Sequence, residues 1–207
     1  SSSSIIWSPI LATLSQSLDN GEGLSAVIAP FIKIDALSKI LELPVSDELT
    51  VITRWRPEEI LKGVSDLEIY PLLKTRGIPL YIHNSIHLKL FLFDSDRAFC
   101  SSANVTSMGL GLGQHGNLEA GALVPLQMED FLALKDLRDA GRLVTDEIYE
   151  AYKASEEGKY QLAFGFYAKA LELDSQNFDA LLRTGLLYYE LNQNSEAERY
   201  LTRAFYL

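Results

Sequence analysis

Two periods of hydrophobicity run along this chain. Up to about residue 143, short apolar stretches have the length and composition of strands: Ser25–Phe31, Leu49–Trp55, Pro79–His83, His87–Asp94, Ala98–Ser102 and Leu118–Val124. Between them, apolar residues recur at helical spacing over Ile5–Leu18, Asp35–Leu43 and Asp66–Arg76. This rhythm predicts an α/β domain over residues 1–143, a layered sheet flanked by helices. From about Val144 the pattern is almost wholly helical, rich in Ala, Leu, Tyr and Glu, and the chain resembles itself at a spacing of 34 residues. Ala163 matches Ala197, Ala170 matches Ala204, and Tyr167 falls in register with Leu201. A second, all-α domain of about two helical repeats is expected over residues 144–207.

The stretch His87–Asn104, HLKLFLFDSDRAFCSSAN, adds chemistry to this pattern. On a strand, His87 and Lys89 are two residues apart and project from the same face. Asp94 follows after four residues, and then a run of small and polar residues, Ser101, Ser102, Ala103 and Asn104. These residue types suit transfer at a phosphodiester. A neutral imidazole attacks phosphorus and splits one difficult step into two. An ammonium group balances charge on the phosphoryl oxygens, and a hydroxyl and an amide add neutral hydrogen bonds that hold the group in line.

The spacing H-x-K-x4-D-x6-small-S-x-N resembles the HKD motif of the phospholipase D superfamily. The resemblance implies a phospholipase D-like sheet, with His87, Lys89, Ser102 and Asn104 as catalytic residues and Asp94 as structural support for the motif. Glu119, in GNLEAGALV beside Asn117, resembles the acidic residue that orients the imidazole in nuclease-like members. Ser101 stands where the family usually has glycine. The fragments VIAPFIK, VITRWRPEEI and SDLEIYPLLKTRG are similar to compact bacterial members of the superfamily, some of them restriction-type nucleases. Arg54 and Arg56, at a strand end, are candidate phosphate contacts, with a plain exposed arginine as the alternative. His83 reads as a strand-end residue and His115 as part of a glycine-rich rim. No Cys/His cluster or group of carboxylates suggests a metal, and no cofactor is implied.

Only one such motif is present, whereas phosphohistidine chemistry needs a second imidazole to protonate the leaving alkoxide and later activate water. Single-copy members of the superfamily pair two chains about a twofold axis, so the resemblance implies a homodimer. The second domain is similar to tetratricopeptide repeats, in Gly158-Lys159-Tyr160, YAKALELDSQN and TGLLYYELNQNSEAERYLTRAF, with Ser175 where proline is frequent. Such repeats bind protein partners, and the second is expected to stop inside its own second helix.

Charge complicates the substrate. Eighteen Lys and Arg against 28 Asp and Glu give −10, so a nucleic-acid substrate requires a local basic strip rather than a basic surface. No apolar run reaches the length of a membrane span, no leader opens the chain, and the single Cys100 reads as a core thiol, which together predict a cytoplasmic protein without membrane insertion. The expected function is a metal-independent phosphodiesterase, a nuclease on DNA or RNA. The alternatives are cleavage of phospholipid head groups and a non-catalytic dimeric interaction module.

Overall fold

The computed structural model describes residues 5–19, 21–156 and 160–207. The chain divides into two compact units, one ending at Leu143 and one running from Val144 to Leu207. The first contains β1 (Ile6–Trp7), α1 (Ile10–Ser17), β2 (Leu24–Ile28), α2 (Ile34–Ile40), β3 (Val45–Thr53), α3 (Pro57–Leu61), α4 (Ile69–Thr75), β4 (Leu80–Ile82), β5 (Leu90–Phe93), β6 (Arg97–Ser101), α5 (Ser107–Leu110), β7 (Ala120–Pro125), α6 (Met128–Ala140) and β8 (Arg142–Leu143). Among the described residues the strands form one eight-stranded sheet, in the order β1-β7-β6-β5-β2-β3-β4-β8. The centre, β2-β3-β4, is parallel, and β5, β6 and β7 run antiparallel in turn.

The register explains the core. One cross-strand row is Leu123, Phe99, Phe91, Val27, Val51 and Leu80. Phe91, Phe99, Val27 and Val51 in that row are fully buried, and each large side chain so buried stabilises the fold by about 1.5–3 kcal/mol. The opposite face gathers Ile28, Ile52, Ile86, Leu92 and Ala98, against which Leu88, Leu90, Val124 and the α6 residues Leu134 and Leu137 pack. Ile86, Leu88, Leu90 and Leu92 therefore share one face, which sends His87 and Lys89 to the other, with Phe91 and Phe93.

The strand expected from His87 pairs regularly only from Leu90, although the Ser101 amide donates to the Lys89 carbonyl at 3.1 Å and carries the pairing one residue further. The helix expected over Ile5–Leu18 is divided. Ile6 and Trp7 pair with Gly121 and Ala120 as an edge strand, and Pro9, extended and without an amide proton, precedes α1. α6 was not foreseen; it has no buried residue and starts on a capping box between Gln127 and Asp130. Cys100, paired across from Leu90 and Ala122, is free and half-buried, and burial pushes its thiol up.

The second unit is helical: α7 (Asp146–Glu156), α8 (Tyr160–Leu173), α9 (Phe178–Glu190) and α10 (Asn194–Phe205). The repeating alanines Ala163, Ala170, Ala197 and Ala204 are all buried, as is Tyr167. Small residues bring the helices close, and a Cβ on Gly185 would stand 2.7 Å from Leu201 Cγ. Phe164, Tyr188 and Tyr200 pack ring against ring at centroid distances of 4.6 and 5.6 Å. Gly158 and Lys159 of the repeat pattern lie outside the described residues. No helix among those described is long and apolar enough to cross a membrane.

Candidate active site

Strand direction assembles the site. β5 runs against β2 and β3, so its start lies at their carboxyl ends. The end of β6 and the start of β7 fall at that same end of the sheet. His87 and Lys89 before β5, Ser102 and Asn104 after β6, Glu119 before β7, and Arg54 and Arg56 after β3 thus converge on one end, where ligands of open α/β sheets bind. Asp94 lies at the opposite end of β5. There its Oδ1 accepts from the Gly23 amide at 3.1 Å and its own amide donates to the Gly23 carbonyl at 3.0 Å, closing the start of β2.

His87 is exposed and Lys89 half-buried. Lys89 Nζ stands 3.4 Å from His87 Nε2. When Nε2 accepts from the ammonium, the ring proton is on Nδ1 and Nε2 carries the lone pair for attack. The cation lies beside the nitrogen that would meet a phosphoryl group.

Ser102 and Glu119 form a second cluster. The Ser102 hydroxyl donates to Glu119 Oε2 and accepts from the Ala120 amide at 3.1 Å, while its amide donates to the Ala120 carbonyl at 2.9 Å. Asn117 Nδ2 donates to Glu119 Oε1 at 3.1 Å. The carboxylate is therefore held by Ser102 and Asn117, and neither oxygen bonds His87. Ser101 accepts the Ala103 amide on its hydroxyl at 3.0 Å and so shapes the bend after β6. Asn104 is half-buried, and its Oδ1 is buried without a partner among the described residues. Buried polar atoms are rarely left so unless a site uses them.

The two arginines differ from their expected place. Arg54 is 7% exposed, and its donors serve Glu59 (Nε–Oε2 3.0 Å, Nη2–Oε1 2.5 Å) and the Ile86 carbonyl (Nη1, 3.0 Å), with the guanidinium 5.0 Å above the Phe31 ring. Arg56 donates twice to the Asn84 carbonyl, at 3.1 and 2.7 Å. Both face the turn before His87. Sequence reasoning missed Glu59 and Asn84 because their partners lie across a turn and a short helix that no periodicity announced. His83, directly after β4, donates its amide to Thr53, and its Nδ1 is buried without a partner among the described residues. His115 is exposed in the loop before β7. No group of three or more His, Cys, Asp or Glu suited to a metal ion occurs among the described residues.

Residues 154–205 match the tetratricopeptide repeat family model, which places that repeat in the helical unit. No curated protein matches the sequence. Similar solved structures include Nuc, a phospholipase D family member from Salmonella typhimurium, at 14% identity and a TM-score of 0.46, covering 70% of this chain and 99% of that one. NucT from Helicobacter pylori aligns at 12% identity and a TM-score of 0.41, over 69% of this chain and 98% of that one. TrmBL2, an archaeal chromatin protein whose structure shows a novel mode of DNA binding, aligns at 12% identity and a TM-score of 0.40, over 69% of this chain and 54% of that one.

Proposed function

We propose that the α/β unit is a metal-independent phosphodiesterase of the phospholipase D superfamily, a nuclease that cleaves DNA or RNA through a phosphohistidine. The observation that carries this reading is the pairing of His87 Nε2 with Lys89 Nζ at 3.4 Å, at the sheet end that also holds Ser102, Asn104 and Glu119. Attack by Nε2 forms an N–P bond as the P–O bond to the leaving oxygen breaks. Lys89 balances charge on the equatorial oxygens, and Ser102 and Asn104 hold them in line. The leaving alkoxide takes a proton from a second imidazole, which then removes one from the water that breaks the N–P bond and frees a strand ending in a phosphomonoester.

One chain supplies one such histidine in this motif, so the working form is a homodimer with two His87 residues facing one another. The tetratricopeptide repeat serves a protein partner, which brings substrate to a chain whose net charge of −10 would otherwise repel it.

Single- and double-stranded oligonucleotides and RNA, incubated with the protein in excess EDTA, test this. Cleavage is expected with wild type and not with His87→Ala. Cleavage that EDTA abolishes, or that His87→Ala retains, removes the reading.

A further inference from the structure

Attack in line requires the imidazole to be held in place, yet His87 precedes the first regularly paired residue of its strand, Leu90. What delivers it is the turn His83–Ile86, closed by the Ile86 amide on the His83 carbonyl at 3.2 Å. This turn is fastened to the chain leaving β3. The His83 amide donates to Thr53 at 2.8 Å, and the Trp55 amide to Asn84 Oδ1 at 3.1 Å. Arg56 takes the Asn84 carbonyl, and Arg54 takes that of Ile86 at 3.0 Å. The Ile86 carbonyl belongs to the peptide group that joins Ile86 to His87. Because that group is planar, holding its oxygen restrains the peptide from which the His87 backbone departs.

We infer that Arg54 and Glu59 are a positioning pair for the His87 nucleophile, an inference that rests on the phosphodiesterase reading of His87. Glu59 grips Arg54 by a two-pronged bond, with the side chains only 9% and 13% exposed, and Phe31 lies beneath the guanidinium. The third point of the fork is then aimed at the Ile86 carbonyl with no freedom to swing. Stability alone is a poor reason to keep such a pair, because apolar residues of similar size commonly replace a buried ion pair at no cost. Nor does Arg54 serve as a phosphate contact, since the guanidinium is buried and committed. Lysine carries the same charge but not the fork, and one ammonium does not reproduce Arg54's three-way geometry.

Three variants test the pair: Arg54→Lys, Arg54→Met and the double change Arg54→Met with Glu59→Leu, which removes both charges and so leaves none buried alone. Each is assayed in the full chain for kcat and KM on a cleaved oligonucleotide, for thermal stability, and for amide exchange across residues 83–89. In the double variant stability is expected to hold, KM to stay unchanged, and kcat to fall by about a hundredfold, the cost of a misplacement near 1 Å. Exchange in the turn should quicken by about tenfold or more while β2 and β3 stay protected. Arg54→Lys should lose as much as Arg54→Met. A double variant with wild-type kcat and exchange overturns the inference. So does rescue by Arg54→Lys combined with a raised KM in Arg54→Met, which would mark a direct phosphate contact. Failure of the phosphodiesterase reading looks different: wild type and His87→Ala cleave nothing alike, and a response of exchange in the turn then leaves a tether with no catalytic purpose.

Discussion

Lys89 stands beside the imidazole, in no salt bridge among the described residues, 3.4 Å from the nitrogen proposed to attack. Its charge is thus available to the phosphoryl oxygens. Lys89→Met is expected to lower kcat by about 10²–10³, the cost of removing one preorganised donor, with the fold intact by circular dichroism. A different residue reports on the helical unit. The Tyr167 hydroxyl is buried without a partner among the described residues, and burial pushes the phenol from its ordinary value near 10 up to about 12. The unfolded chain therefore releases this proton before the folded one does. Stability is complete below pH 10 and falls as pH rises from there towards 12. Tyr167→Phe removes both penalties. It should raise stability at neutral pH by about 1 kcal/mol and move the alkaline unfolding midpoint upward in a pH titration followed by circular dichroism.

At the scale of the element, close approach of backbones sets the shape of the site. α5 begins at a Thr106 cap, whose hydroxyl accepts the Gly109 amide at 3.0 Å, and presses on Asn104: a Cβ on Gly109 would stand 2.4 Å from the Asn104 carbonyl oxygen. Gly109→Ala should cost about 1–3 kcal/mol in denaturant melting, as an overpacked contact does, and lower kcat by displacing Asn104. The same tightness marks Gly121, where a Cβ would meet the Cys100 carbonyl and the Phe99 ring at 2.6 Å. Such elements differ in how far the sequence discloses them. The alternation from Ile86 to Phe93 is local, and it alone places His87 and Lys89 on one face. The burial of Ala163, Ala170, Ala197 and Ala204 was likewise written in their 34-residue spacing. The division of the first helix at Pro9 is not carried by apolar periodicity, which runs unbroken across Ile5–Leu18. α6 lacks a strong apolar face, so the hydrophobic pattern does not disclose it. The fork between Arg54 and Glu59 needs a helix boundary and a side-chain direction at once, and hydrophobic pattern encodes neither.

For the whole molecule, the proposed phosphohistidine mechanism would tie catalysis to assembly, since each chain carries one HKD-like segment. If two His87 residues complete one site across a twofold axis, mixing wild-type and His87→Ala subunits yields heterodimers that stall after the first step. Activity in exchanged mixtures should fall as the square of the wild-type fraction, and light scattering should show a dimer. A linear fall, or an active monomer, contradicts the shared site. The most direct measurement concerns the covalent step itself. Protein is mixed with a phosphate-labelled oligonucleotide in EDTA, quenched in base, where phosphohistidine survives, and digested for mass spectrometry. The expected result is an adduct on the peptide containing His87, a phosphorus still esterified to one nucleotide strand, absent from His87→Ala. An adduct on another residue, or full-rate cleavage by His87→Ala, would contradict a phosphohistidine mechanism at His87.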